Sequence, residues 1–320
     1  MTILIGQRPN RVSTQALPLP PRMQIAELFK TRRPLFSIEL FPPKTPEGVS
    51  KLKEKLDEIA AHSPDYISVT YGAGGGTRHT TREICAYVKQ KLGIEAMAHL
   101  TCVSHSQREI GALLDDLESD GIENIMALRG DPPQGQERFV PPEDGFAHAV
   151  QLVRAIRARG GFGIGVAGYP EGHVEAPDYQ VSLRHQVEKI QAGADFVVSQ
   201  LFMDNAYFYR WLEHLRAAGV TAPVVPGILP AVSAKGIGRF AALCGAKVPD
   251  QLRVGLERFE AHPESASAFG LVFAMRQIED LLSQGVDGIH LYALNRLESI
   301  RSVSALVAGY RIPSAGAARG

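Results

Sequence analysis

Phe36-Ser-Ile-Glu-Leu-Phe-Pro-Pro43 is an apolar run stopped by two prolines, with an acid, Glu39, near its downstream end. Asn124-Ile-Met-Ala-Leu-Arg-Gly-Asp131 is built the same way and ends on Asp131. Gln200 in Val197-Val-Ser-Gln-Leu-Phe202 and Tyr292 in Ile289-His-Leu-Tyr-Ala-Leu294 repeat the arrangement. Short apolar runs of this kind read as buried strands. Four strands therefore carry a polar or acidic group near their C-terminal ends. In a parallel α/β barrel those ends meet at one mouth, where such proteins do their chemistry.

Working outward, strand-like segments over Leu35–Phe41, Tyr66–Tyr71, Ala96–Cys102, Asn124–Leu128, Gly163–Ala167, Phe196–Phe202, Pro223–Ile228 and Ile289–Leu294 alternate with helix-like ones. Glycine follows several helical runs, as in Ala192-Gly193, Ala218-Gly219 and Gln284-Gly285, where helices commonly end. About eight βα units result, the number that closes a barrel. The expected fold is α/β, a (β/α)8 TIM barrel, in one domain over residues 23–310. Residues 1–22, with Leu17-Pro-Leu-Pro-Pro-Arg22, and residues 311–320 read as flexible tails, and Met23 to Lys30 as a short helix covering one end of the barrel.

The chain has 320 residues, 34 basic and 34 acidic, so no basic surplus marks a nucleic-acid partner. No apolar run approaches the length needed to span a bilayer, and the start lacks a secretory leader. Cys85, Cys102 and Cys244 are scattered and odd in number, which fits a reducing, cytoplasmic setting.

Alternation on the first barrel strand puts Ser37, Glu39 and Phe41 on one face and Phe36, Ile38 and Leu40 on the other. The second set suits the outer helices, so Ser37 and Glu39 face the interior. Desolvation there is expected to raise the Glu39 pKa and keep it a protonated acid, ready to donate; an exposed acid on an edge strand is the plainer alternative. Asp131 follows Gly130, which allows close approach to a ligand, but taken alone the motif reads slightly better as a simple turn aspartate. Gly72-Ala-Gly-Gly-Gly-Thr77 does not complete a dinucleotide fingerprint; it is a phosphate-approaching or simply flexible loop. His99 and Cys102 lie three apart on a strand and point to opposite faces, so no metal site is expected. Tyr169 and His173 could meet a planar cofactor or be ordinary loop residues, and Phe240 defaults to a helical core.

Together these motifs resemble methylenetetrahydrofolate reductase. The matching stretches include Phe36–Pro43, Val69-Thr-Tyr-Gly-Ala73, His99-Leu-Thr-Cys102, Arg129-Gly-Asp131, Ala167-Gly-Tyr-Pro170, Gln200-Leu-Phe202, Pro226-Gly-Ile-Leu-Pro230 and Leu291-Tyr-Ala-Leu-Asn-Arg296. They run in order over nearly the whole chain after the first tail. The resemblance implies an FAD-binding barrel that reduces 5,10-methylenetetrahydrofolate to 5-methyltetrahydrofolate in a ping-pong scheme, with NADH or NADPH as the electron donor. It implies Glu39 as general acid and Asp131 as the aspartate beside pterin and flavin. FAD contacts are implied at Thr70, Tyr71, Ala73, His99, Arg129, Gly130, Asp131, Ala147, Tyr169, His173, Ala176, His185 and Lys189. Substrate contacts are implied at Gln200, Phe240, Tyr292 and Arg296, with Ser37 added from its place beside Glu39. Ser182 stands where many relatives carry an acidic ribose ligand, and Gly236 where some carry a polar residue. A homodimer or homotetramer, insensitive to S-adenosylmethionine, is expected by the same resemblance. Two other classes fit the residues: a flavin-free barrel lyase or aldolase, and a non-catalytic folate-binding subunit.

Overall fold

The computed structural model describes residues 23–72, 77–132, 135 and 139–313. The expected first tail, Ala73 and the end of the second tail lie outside them. A short helix α1 (Ile25–Thr31) and strand β1 (Arg32–Arg33) lead into β2 (Leu35–Leu40), α2 (Pro46–Ala60), β3 (Tyr66–Val69), α3 (Arg78–Lys91), β4 (Glu95–Thr101) and α4 (Gln107–Ser119). The alternation continues with β5 (Asn124–Leu128), α5 (Ala149–Arg159), β6 (Gly163–Gly168), α6 (Tyr179–Gln191), β7 (Phe196–Ser199) and α7 (Asn205–Ala217). Then come β8 (Val224–Val225), β9 (Gly227–Ile228), α8 (Ala234–Cys244), α9 (Asp250–Arg258), α10 (Pro263–Ser283), β10 (Gly288–Tyr292), α11 (Leu297–Tyr310) and β11 (Ile312–Pro313).

The main sheet is parallel throughout, in the order β8-β7-β6-β5-β4-β3-β2-β10-β9. β8 and β9 are two pieces of one stave, the first paired with β7 and the second with β10, so the sheet closes as a (β/α)8 barrel. The sequence reads as one strand over Pro223–Ile228; the break falls at Pro226, which has no amide to give the ladder. Its carbonyl still accepts from the His290 N–H at 2.9 Å, and the Gly227 N–H donates to the Ser199 hydroxyl at 2.8 Å.

Several helices start where a side chain satisfies an otherwise unpaired amide. Ser106 and Glu109 form a reciprocal cap on α4, and Thr45, Asp178 and Ser233 accept from the first turns of α2, α6 and α8. Phe36, Ile38 and Leu40 pack outward against the helical shell, as the alternation predicts. Leu35, Tyr66, Met97, Met126, Phe196, Val198 and Val225 fill the barrel axis. Against this inner set α1 lays Ile25 and Phe29, four residues apart on one face. Burying each contributes about 1.5–3 kcal/mol, enough to hold a short helix over the N-terminal end of the barrel. That end is also where the chain's last described residues return. The sequence reading starts its second tail at 311, but β11 pairs antiparallel with β1, and Arg32 and Arg311 both reach Asp65. No helix among the described residues is long and apolar enough to cross a membrane. Among the described residues, α1 and the β1–β11 pair cover this end of the barrel.

Candidate active site

The C-terminal ends of the staves surround a cavity of about 540 Å³. Alternation along β2 turns Ser37 and Glu39 inward, and they are 1% and 8% exposed. Register places Glu39 opposite Ser68 of β3 and Tyr292 of β10, and Ser37 opposite His290. Two imidazoles therefore converge on one carboxylate oxygen: His99 Nε2 and His290 Nε2 each stand 3.4 Å from Glu39 Oε2. Each has a serine partner, with Ser68 Oγ 2.6 Å from His99 Nε2 and Ser37 Oγ 2.8 Å from His290 Nδ1.

This arrangement corrects the expected state of Glu39. Burial does push its pKa up, but the His290 hydrogen bond and the charges of His99 and His290 outweigh burial, and the carboxyl is held below its ordinary value. Glu39 rests as a carboxylate. His99 shows the other side of the contest: burial pushes its imidazole down, against the pull of Glu39. The sequence alone singles out neither His290 nor Ser68. The usable signal for His290 is spacing, since it stands two residues before Tyr292 and shares its inward face. Cys102 packs in the outer core while His99 faces the mouth, so the two do not converge.

Around the rim, the Tyr292 hydroxyl donates to the Ser199 carbonyl at 2.7 Å. The Gln200 side-chain oxygen accepts from the Leu201 N–H at 2.8 Å, which leaves its NH2 as the end offered to a ligand. Phe240 on α8 lines the same cavity as Tyr292 and Leu294 while packing against the core cluster around Leu229, so it is more than a helical core residue. Gly130 has φ +89°, and a Cβ there would fall 2.8 Å from Val103 and 2.9 Å from Thr101. Only glycine makes this turn without strain, and the turn sends both Arg129 and Asp131 to the cavity. Thr70 and Tyr71 follow β3 onto the same wall, with the Tyr71 hydroxyl 2.9 Å from His105 Nε2.

A second cavity, of about 280 Å³, adjoins the first, and Arg129, Tyr169 and His173 line both. Ala176, His185 and Lys189 complete the side chamber with Ser182. Tyr169 and His173 meet edge to face at 4.7 Å between ring centres. The Lys189 ammonium lies 5.4 Å over the Tyr169 ring, donates to the Ala167 carbonyl at 2.6 Å, and is pushed down to about 8 by burial. Arg129 grips Glu175 through both terminal nitrogens, one of them at 2.6 Å. Ser182 acts inside the wall: its hydroxyl oxygen accepts from the His173 amide at 2.9 Å and from the Gln186 NH2 at 3.1 Å. A serine there ties the His173 loop to α6.

Three expected site residues do not line either cavity, and a fourth is not described. Ser37 sits beneath Glu39 and does not reach the cavity. Ala147 points its N–H at Gln151, while its neighbours His148, Ala149 and Val150 line the side chamber. Arg296 is exposed at the rim and donates to the Ser267 hydroxyl at 3.2 Å. Ala73 lies outside the described residues. Gly236, in the first turn of α8, offers its amide to the Ser233 cap at 3.1 Å.

The family model for methylenetetrahydrofolate reductase matches residues 24–307. "Methylenetetrahydrofolate reductase (NADH) 1" of Arabidopsis thaliana is 41% identical over 271 residues, which are 81% of this chain and 46% of that protein. The chain thus spans about half the length of the plant relatives it matches. The 5,10-methylenetetrahydrofolate reductase of Escherichia coli is 34% identical over 262 residues, 82% of this chain and 86% of that protein. Among solved structures, a Clostridium thermocellum protein described as binding two copies of 5-methyl-5,6,7,8-tetrahydrofolic acid superposes with a TM-score of 0.59 at 13% identity. It covers 89% of this chain and 100% of that one, and shares the fold.

Proposed function

Because the chain belongs to the methylenetetrahydrofolate reductase family, we propose that it reduces 5,10-methylenetetrahydrofolate to 5-methyltetrahydrofolate, with FAD as resident cofactor and a reduced nicotinamide as electron donor. The carrying observation is that Glu39, Asp131, Gln200, Phe240 and Tyr292, from five separate parts of the chain, line one cavity. The names of the plant relatives favour NADH as the donor.

The two joined cavities fit FAD. A mouth with aromatic and aliphatic walls suits a flat ring, and the side chamber holds the cationic Arg129 and Lys189, with the His185 imidazole as a further hydrogen-bonding group, as a pyrophosphate needs. When bound, FAD would supply the hydride carrier between nicotinamide and folate. The chain's own residues do the rest. Asp131 and Gln200 offer an acceptor and a donor to the edge of a pterin, Phe240 offers an aromatic face, and Arg296 can pair with the folate carboxylate at the rim.

Glu39 manages the proton. The product keeps its methyl on the 5-nitrogen, so the methylene bond to the 10-nitrogen must break. An amine leaves far more readily when protonated, and general acids typically contribute about 10²–10⁴-fold. Glu39 is the carboxyl group within the mouth that has two imidazoles, His99 and His290, at 3.4 Å.

The test is spectroscopic. Purified protein should carry flavin absorbance, lose it anaerobically on addition of NADH, and regain it on addition of methylenetetrahydrofolate. Colourless protein that interconverts a folate or sugar carbonyl would favour the lyase reading. Protein that binds folate but is not reoxidised by it would favour the non-catalytic subunit.

A further inference from the structure

The resting state of Glu39 raises a question of supply. The reduction consumes one hydride and one proton, yet in the ligand-free site the two imidazoles hold Glu39 as a carboxylate. The proton must be stored within reach of it. His99 and His290 are the groups against Glu39 Oε2, and their places differ. His99 lines the cavity, and the nitrogen that faces Glu39 also faces Ser68 Oγ. His290 is 0% exposed and does not line the cavity, so a substrate in the mouth meets it only through Glu39.

The His290 ring is fixed from three directions. Ser37 Oγ lies 2.8 Å from Nδ1, Tyr66 stacks at 6.4 Å with planes 23° apart, and Tyr292 stands edge-on at 5.2 Å. These contacts aim Nε2 at Glu39 Oε2, at 3.4 Å. Such catalytic contacts are often long without substrate and shorten in the complex.

We propose that His290, fixed by Ser37, is the proton store behind Glu39: it positions the carboxylate and loads it with the proton that the folate takes. The inference rests on the reductase reading. In the step, the imidazolium Nε2–H bond breaks and an O–H bond forms at Glu39. The carboxyl then gives its proton to the 10-nitrogen as the methylene bond to that nitrogen breaks, its electron pair staying on nitrogen. The methylene carbon, left as an iminium with the 5-nitrogen, takes the hydride. Water in the reopened mouth returns a proton through Glu39 to His290.

Substrate binding itself drives the loading. A folate over the mouth excludes water, and desolvation favours the protonated form of a carboxyl, so a proton carried on His290 is drawn to Glu39. The titratable groups facing His290 are Glu39 from β2, Tyr66 from β3, His99 from β4 across the shared carboxylate, and Tyr292 from its own strand. Burial pushes both tyrosines up, so the exchange is confined to the carboxyl and the two imidazoles.

The test uses the protein as purified with its cofactor, in two measurements. Carbon-13 NMR of glutamate-labelled protein, with Glu39→Gln to assign the resonance, follows the Glu39 carboxyl across pH. Rapid mixing follows each half-reaction. In His290→Gln the carboxyl should titrate at least about one unit higher, and the folate half-reaction should slow at least about tenfold more than the nicotinamide half-reaction. Ser37→Ala should move both readouts the same way by less, and it carries the test alone if His290→Gln fails to fold. An unmoved carboxyl titration with an unchanged ratio of half-reactions would overturn the proposal. Wild-type protein that folate cannot reoxidise would end the reductase reading and the proton-delivery role with it, while a shifted carboxyl titration would still show His290 positioning Glu39.

Discussion

Tyr292 lies across Gly227: a side-chain carbon added at that glycine would fall 2.6 Å from the phenol ring and 2.3 Å from the Ser199 carbonyl oxygen, the atom that accepts the Tyr292 hydroxyl. The glycine sits just past the Pro226 break in the seventh stave, where the Ser199 hydroxyl replaces a ladder partner for its amide. The backbone interruption and the placement of a rim aromatic are one feature.

Gly227→Ala is therefore expected to lose about 1–3 kcal/mol of stability and to raise the KM for folate by displacing Tyr292. Urea unfolding and steady-state kinetics check both. A variant as stable as the wild type with unchanged KM would show that the strand break absorbs the methyl.

Lys189 supplies a pH dependence with a definite sign. Burial pushes its ammonium down to about 8, so in the cofactor-free protein it is charged below that pH and loses its charge above it. An anionic pyrophosphate prefers the charged form. Cofactor affinity should be level below pH 8 and then fall, by up to about tenfold per pH unit. Titrating cofactor-free protein with FAD from pH 6.5 to 9.5 measures it, taking those limits as roughly spanning the transition. Lys189→Gln should flatten the slope. Affinity that stays level through pH 9 in the wild type would remove Lys189 from the pyrophosphate site.

Glu39 gives the opposite kind of dependence. Its folded pKa is depressed against burial by the His290 hydrogen bond and the two imidazole charges. Stability from this contact is present above the unfolded carboxylate value, about 4.3, and is lost as pH falls through the lower folded value. Urea unfolding from neutral pH into the acid range should show a steeper loss for the wild type than for Glu39→Gln. Identical acid slopes would mean that the imidazoles do not hold the carboxylate.

The barrel itself was legible because its cause is local. Alternation over Leu35–Leu40 separates inward Ser37 and Glu39 from outward Phe36, Ile38 and Leu40, and Gly193, Gly219 and Gly285 stand just past the ends of α6, α7 and α10. The environment of Glu39 was not. His290 is 251 residues from it in sequence, and the two meet only because closure pairs β10 with β2 in a register that sets His290 against Ser37. Reading burial without that partner gives the wrong sign for the carboxyl. Arg296 and Ala147 failed to reach the cavities for a related reason. Both lie just beyond regular elements, where the loop path, not strand alternation, sets direction.

Rapid mixing of the Glu39→Gln variant, one half-reaction at a time, tests the central claim most directly. Hydride delivery from the nicotinamide needs no acid, so that rate should stay within about twofold of wild type. The folate half-reaction should fall by about 10²–10⁴-fold, since an amide has no acidic proton to give. Folate reduction at the wild-type rate in Glu39→Gln, or equal losses in both half-reactions, would contradict Glu39 as the group that hands the proton to the folate.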